Sequence, residues 1–255
     1  MDILVILKNG DALLYNYLHD FFDFNVDNNS INPIPENENE ASSQMSEATD
    51  GSITINKSGR FIHCLTIIGQ IEGHYASSDD VKTTKYEHII PRLVAVEESD
   101  DVSGLLVILN TIGGDIEAGL AIAELISGMK KPSVSLVLGG SHSIGIPLAV
   151  STDKSFVVPT ATMTVHPVRM NGLVLGVPQT LVYLNKMEDR VVEFVTRNSS
   201  VTAERFKEMM LNSKELITDF GTILNGKQAV EEGLIDRVGS LSDALDCLYK
   251  MININ

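Results

Sequence analysis

The chain has 255 residues, enough for one large domain. Its composition, 44% hydrophobic and 21% charged, excludes collagen-like, disordered and membrane classes for the whole. Its formal charge of -15, from 34 acidic against 19 basic residues, argues against nucleic acid or an anionic membrane surface as partner.

No apolar run reaches the roughly 18 to 20 residues of a membrane span, and Met1-Asp2 lacks the basic start of a signal peptide, so a cytoplasmic protein is expected. Ile3 to Leu7 and Ala12 to Tyr15 flank Asn9-Gly10, a dipeptide suited to a tight hairpin because both residues tolerate positive φ. Between Asp20 and Asp50 there are eight acidic residues, no Lys or Arg, and the breakers Pro33 and Pro35, which reads as a disordered linker. Residues 1–50 are therefore expected to form an N-terminal extension and residues 51–255 the folded body.

From Phe61 onward, β-branched apolar runs alternate with amphipathic helices, the signature of a layered α/β fold. Strands are expected at Phe61 to Ile68, Gly104 to Leu109 and Ser133 to Leu138. Between the last two, Ile116, Leu120, Ala123 and Ile126 recur at helical spacing over Asp115 to Met129, which completes one βαβ unit. A further strand is expected over Phe156 to Val165. Helices follow through Leu181, Leu184, Met187, Val191 and Val195, and over Ala203 to Leu211. Cys64 and Cys247 stand outside any CxxC or metal spacing, so neither a disulfide nor a zinc site is expected, and Cys64 reads as core.

Ser143 follows the run Ser133 to Gly140 and opens the small-residue segment Ser143 to Val150, a strand-to-helix turn. Unpaired N-H groups and the partial positive charge at such a turn stabilise an anion formed on an attacked carbonyl. Read by itself, such a serine is usually a helix cap. Gly113-Gly114 open the preceding helix with bare backbone that no side chain shields. His166 closes an apolar strand before Pro167, and its imidazole suits general-base work near neutrality, although strand-end histidines are commonly structural. His142 competes with it for that role but is expected to point away from Ser143.

Taken together these segments resemble the ClpP peptidase family. The resemblance rests on Gly69-Gln-Ile-Glu72, on Leu109-Asn-Thr-Ile-Gly-Gly114 with Ala118-Gly119, on Gly139 to Gly145, on Met163-Thr-Val-His166, and on Gln228 to Asp236. It spans roughly Phe61 to Leu241. It implies a ClpP/crotonase-like layered fold of βαβ units, with a strand-helix handle at Leu173 to Val177 and a helix from Thr180. It also implies Ser143 as nucleophile, His166 as base, and the N-H groups of Gly114 and Ile144 as oxyanion hole, with no cofactor.

The family's aspartate position is occupied here by Gly221, and Asp219, two residues earlier, is the candidate replacement. A Ser-Lys dyad through Lys154 is not favoured, because Asp153-Lys154 reads as a surface turn. The Gly-Gly-Ser-His-Ser segment and divergent N-terminus are similar to those of the translocation-enhancing protein (TepA) group. The resemblance implies a serine endopeptidase of small or unfolded polypeptides, signal peptides among them, assembled as a homo-oligomeric ring. The unfamiliar N-terminus argues against docking of an ATP-driven unfoldase. Two other readings stay open: a catalytically silent, peptide-binding ring, and a crotonase-type acyl-CoA enzyme.

Overall fold

The apolar runs of the sequence become the middle of a parallel sheet: β3 (Arg60–Glu72), β5 (Val102–Gly114) and β6 (Ser133–Ser141). They are longer than the sequence pattern, because each strand runs on through polar and glycine residues toward the end where Ser143 lies. The computed structural model describes residues 46–47, 52–57, 59–78, 80–170, 176–212 and 221–254, all within the compact unit Ser43–Asn255. The hairpin expected around Asn9-Gly10 and positions 173–175 of the strand expected at Leu173 to Val177 lie outside the described residues, while Gly176 and Val177 belong to a helix start rather than a strand.

The remaining elements are β1 (Ser46–Glu47), β2 (Ile53–Lys57), β4 (Thr83–Lys85), α1 (Tyr86–Glu98), α2 (Ile116–Ser127), α3 (Gly145–Val150), β7 (Lys154–Val157), β8 (Thr162–Val165), α4 (Val177–Arg197), α5 (Ala203–Met210), β9 (Thr222–Asn225), α6 (Gly226–Glu231), β10 (Arg237–Val238) and α7 (Leu241–Ile254). Strand order in the main sheet is β1-β2-β3-β5-β6-β7-β10. The β1-β2 and β2-β3 pairs are antiparallel, and the rest of this path is parallel. Thus Ser46 and Glu47 of the acidic stretch pair with Thr54 and Ile53.

Both faces of the central strands are covered, which is why β5 reads as an unbroken apolar run rather than an alternating one. Leu105, Val107 and Leu109 turn into the larger core with Ile122, Ala123 and Ile126 of α2. Leu106 and Ile108 turn the other way, onto Ala244 and Leu248 of α7. A fully buried leucine at these positions contributes about 1.5 to 3 kcal/mol. Cys64 packs in the second cluster, and burial pushes its thiol up to about 11, leaving it inert at neutral pH.

The sequence reading of one strand over 156–165 is corrected: β7 and β8 are separate and pair with different neighbours. Pro159 has no N-H for a ladder, and Ala161 closes a turn onto the Val158 carbonyl at 3.1 Å. After that turn β8 leaves the main sheet, touching β6 only at Gly140-Thr162 and pairing antiparallel with β9.

The helix at Ser143 is corrected too, since α3 starts at Gly145 and Ser143 precedes it. α4 begins at Val177 rather than Thr180, and its inward face is buried only from Met187 onward. Leu181 is 58% exposed, because the first turns of the helix project beyond the body that its later turns cover.

Candidate active site

Three chain segments converge at the carboxyl ends of β5, β6 and β8. The first is Asn110 to Gly114. Thr111 pins it twice: its Oγ1 donates to the Gly69 carbonyl at 2.6 Å and accepts from the Gly113 N-H at 3.0 Å. The Thr111 carbonyl in turn accepts from the His142 N-H at 3.1 Å, so the first segment holds the second.

The glycine pair answers to crowding on both sides. A Cβ on Gly113 would sit 2.8 Å from the Ser143 Cβ, and one on Gly114 would collide with the Ile71 carbonyl oxygen. Asp115 then caps α2, its carboxylate accepting from the Ala118 N-H at 2.9 Å.

The second segment is the turn from β6 into α3. Ser143 has φ 56°, the only positive value at a non-glycine among the described residues. An L-residue held there is strained by about 1 to 2 kcal/mol, so the surrounding bonds must fix it. They do so at close range: Gly145 N-H to the His142 carbonyl at 2.8 Å, Ile146 N-H to the Ser143 carbonyl at 3.0 Å, and Ser141 Oγ to the Gly145 carbonyl at 2.6 Å. Ser143 is half-buried and presents its hydroxyl from a tight strand-to-helix turn, the geometry that exposes a nucleophile.

The N-H of Ile144 makes no hydrogen bond among the described residues. Its side chain is buried against Gly119, where any Cβ would strike it, which accounts for the glycine at that position.

The third segment is β8 and the residues after it. The Ser143 N-H donates to the Thr164 carbonyl at 2.9 Å, bringing β8 beside the serine turn, and His166 follows two residues later. His166 Nδ1 lies 2.7 Å from the carbonyl oxygen of Pro167. His142 and His166 are close enough to feel each other's charge. Burial first, and His166 second, push the His142 imidazole below its ordinary value, so it is neutral at physiological pH. His142 Nδ1 is buried with no hydrogen-bond partner among the described residues, and its Nε2 edge leans on Gly140.

A scan for family membership matches the Clp protease family over residues 63–241. The chain belongs to the Clp protease family. Among individual proteins, it is 57% identical over 191 residues to translocation-enhancing protein TepA of Halalkalibacterium halodurans, covering 75% of each chain. It is 26% identical over 181 residues to an ATP-dependent Clp protease proteolytic subunit of Streptococcus uberis, covering 68% of this chain and 83% of the relative. A solved structure of a ClpP1 variant from Listeria monocytogenes superimposes with TM-score 0.56 at 18% identity, over 71% of this chain and 94% of the other. That neighbour shares the α/β layered fold.

In this Clp-family chain the structure brings Ser143, Gly113, Gly114, Ile144 and the β8 end carrying His166 into one region. Asp219 lies outside the described residues. Gly221 is described: the β8-β9 ladder ends at Val165-Thr222, and Gly221 is the residue just before it on the β9 side. Its N-H is anchored to the Asn212 carbonyl at 2.7 Å.

Lys154 is an exposed residue that pairs with Asp236 at 3.4 Å, while Asp153 accepts from the Ser133 N-H at 2.9 Å. Both serve the join between β6, β7 and the loop before β10. The sequence reading gave no role to Thr111, Asn110 or Pro167. Asn110 Oδ1 accepts from the Gly140 N-H at 3.1 Å, and a polar pair ending an otherwise apolar strand was the available signal.

Proposed function

We propose that the chain is a serine peptidase in which Ser143 is the nucleophile and His166 the general base. The observation that carries this reading is Ser143 itself: a left-handed serine fixed between a glycine pair and the strand that ends at His166, in a Clp protease family chain. Nothing in core packing requires a serine at that strained position.

In the reaction, Ser143 Oγ forms a bond to the peptide carbonyl carbon as its proton passes to His166 Nε2 and the carbonyl electrons move onto oxygen. The N-H groups of Gly114 and Ile144 are proposed to receive that oxyanion, Gly114 being solvent-exposed and Ile144 N-H having no other acceptor among the described residues. Collapse breaks the C-N bond, and the Nε2 proton goes to the leaving amine. Water then repeats the sequence on the acyl-enzyme, with His166 again as base. Asp219 is proposed to take the third place of the triad, orienting the His166 imidazole and stabilising its imidazolium.

The substrates proposed are small or unfolded polypeptides, signal peptides among them, in a cytoplasmic setting. Ring assembly is proposed through α4, whose first turns expose Val177, Leu181, Val182 and Tyr183. Among the described residues no helix is long and apolar enough to cross a membrane.

The test is intact-mass analysis after treatment with a fluorophosphonate serine-hydrolase probe. The expected result is one adduct, lost in both Ser143→Ala and His166→Ala. Absence of any adduct on folded, assembled protein would turn the reading to a peptide-binding ring without turnover, which Gly221 at the family's aspartate position favours.

A further inference from the structure

We propose that Arg190 is a positioning residue of the oxyanion hole, holding through Glu117 the helical turn that follows Gly114. The proposal rests on the serine-peptidase reading above.

Two ion pairs join α2 to α4, in the same order along both helices. Arg190 places two guanidinium nitrogens on the two oxygens of Glu117, at 2.6 and 2.9 Å. About two turns further along each helix, one nitrogen of Arg197 donates to both oxygens of Glu124, at 2.8 and 2.7 Å. A surface cavity floored by Leu120, Ala121 and Phe194 lies between them, so on this side charged pairs rather than close packing span the two helices. All four residues are about half exposed. The pairs differ in what stands beside them.

Glu117 belongs to the first turn of α2, the turn that Asp115 caps directly after Gly114. Gly114 has φ 153°, and without a Cβ its own torsions do little to fix the direction of its N-H. That direction is set by what holds the residues on either side. Thr111 pins Gly113 on one side. On the other, the Asp115 N-H donates to the Ile71 carbonyl at 3.0 Å, and the chain then enters α2. The first turn of a helix lacks intrahelical acceptors for its N-H groups and frays readily. Ala118 and Leu120 anchor α2 on the core side, and Arg190 holds the turn on the solvent side.

Arg190 stands on the part of α4 that is packed into the body. Its Nη1 also donates to Sδ of Met187, at 3.2 Å, the residue with which the buried face of the helix begins. The Arg190 hydrogen bonds lower the Glu117 carboxyl from its ordinary value, so the pair is ionised at neutral pH. Glu124, by contrast, lies in the last turn of α2, at the end remote from Gly114.

Arg190→Gln and Arg197→Gln therefore make a matched comparison, since each removes one ion pair from the same helix-helix contact. Hydrogen exchange at residues 113–118, read by mass spectrometry, is expected to be about two- to fivefold faster in Arg190→Gln, what a half-exposed ion pair can supply, and unchanged in Arg197→Gln. This readout needs no turnover, so it decides whether Arg190 holds the turn even if the peptidase reading fails.

The rate of fluorophosphonate labelling at Ser143, and kcat on a short fluorogenic peptide amide, are expected to fall about two- to fivefold in Arg190→Gln at unchanged KM, with Arg197→Gln at the wild-type values. Glu117→Gln weakens the same pair from the α2 side and is expected to match Arg190→Gln, which covers an Arg190 variant that fails to assemble. Equal behaviour of the two arginine variants, in exchange or in kcat, would overturn the proposal. No adduct on the wild type would count against the peptidase reading alone.

Discussion

The Ser143 N-H and the Thr164 carbonyl are joined by a 2.9 Å hydrogen bond, which ties the turn carrying the serine to the strand that delivers His166. That bond, with the two that close the turn, keeps Ser143 at φ 56°. Glycine adopts this conformation freely and alanine does not. Ser143→Gly is therefore expected to be more stable than Ser143→Ala by about 1 kcal/mol, although the glycine variant loses the hydroxyl just as completely. Denaturant midpoints at equal m-value measure the difference. Equal midpoints would mean that the turn stores no strain.

Gly114 faces a different constraint. A Cβ at this position meets the Ile71 carbonyl oxygen, which is backbone of β3 and cannot turn aside. Gly114→Ala must shift the segment that presents its N-H, and loss of one oxyanion donor typically costs 10²- to 10³-fold in kcat. A loss of about that size is expected while probe labelling of Ser143 persists at reduced rate. Full turnover in a folded Gly114→Ala protein would remove its N-H from the proposed oxyanion hole.

Asp219→Asn tests the proposed third member of the triad. Where an aspartate orients the imidazole, its amide replacement lowers kcat by about 10⁴ because the tautomer reverses. A decrease of about that size is expected, with assembly intact. Steady-state kinetics at saturating peptide measure it, and an unchanged kcat would remove Asp219 from the site.

The sheet core was legible because β-branched runs buried on both faces leave a clear apolar signature, as Leu105 to Leu109 do. The strands' polar ends were not, since Asn110, Thr111 and Gly139 to Ser141 carry no apolar periodicity and are held by side-chain bonds to distant segments. The break between β7 and β8 was masked by the apolar residues on either side of Pro159, which outweighed the proline in the pattern. Ser143 and His166 were legible only through the family resemblance, because a cap serine and a strand-end histidine look the same locally.

Two histidines make the fold sensitive to acid. Burial lowers the imidazole of His63, and burial together with His166 lowers that of His142, both from an ordinary value of 6.5. In each case the unfolded chain takes up a proton more readily than the native one. Their stabilisation is therefore complete above the ordinary value and is lost as pH falls below it toward the depressed native values. The melting temperature is expected to drop as pH is lowered from about 7.5 to about 5, and His63→Gln should flatten that slope. His63 Nδ1 bonds Thr54 Oγ1 at 3.1 Å while its Nε2 is buried without a partner among the described residues, so the glutamine variant tests the titration at one local hydrogen bond. A slope unchanged by His63→Gln would assign the acid sensitivity elsewhere.

Assembly can be tested on α4 without touching the site. Leu181, Val182 and Tyr183 are 58%, 54% and 53% exposed, whereas Met187, Val191 and Val195 of the same helix are buried. The helix thus carries its apolar character past the edge of its own core, where an isolated subunit gains nothing from it. Contact with another copy would remove that surface from water, and a closed ring repeats the same contact around its axis. Leu181→Glu with Tyr183→Glu is expected to shift sedimentation from a large assembly to small species, with the far-ultraviolet circular dichroism unchanged. Retention of the wild-type sedimentation coefficient by the double variant would exclude this face as the subunit contact.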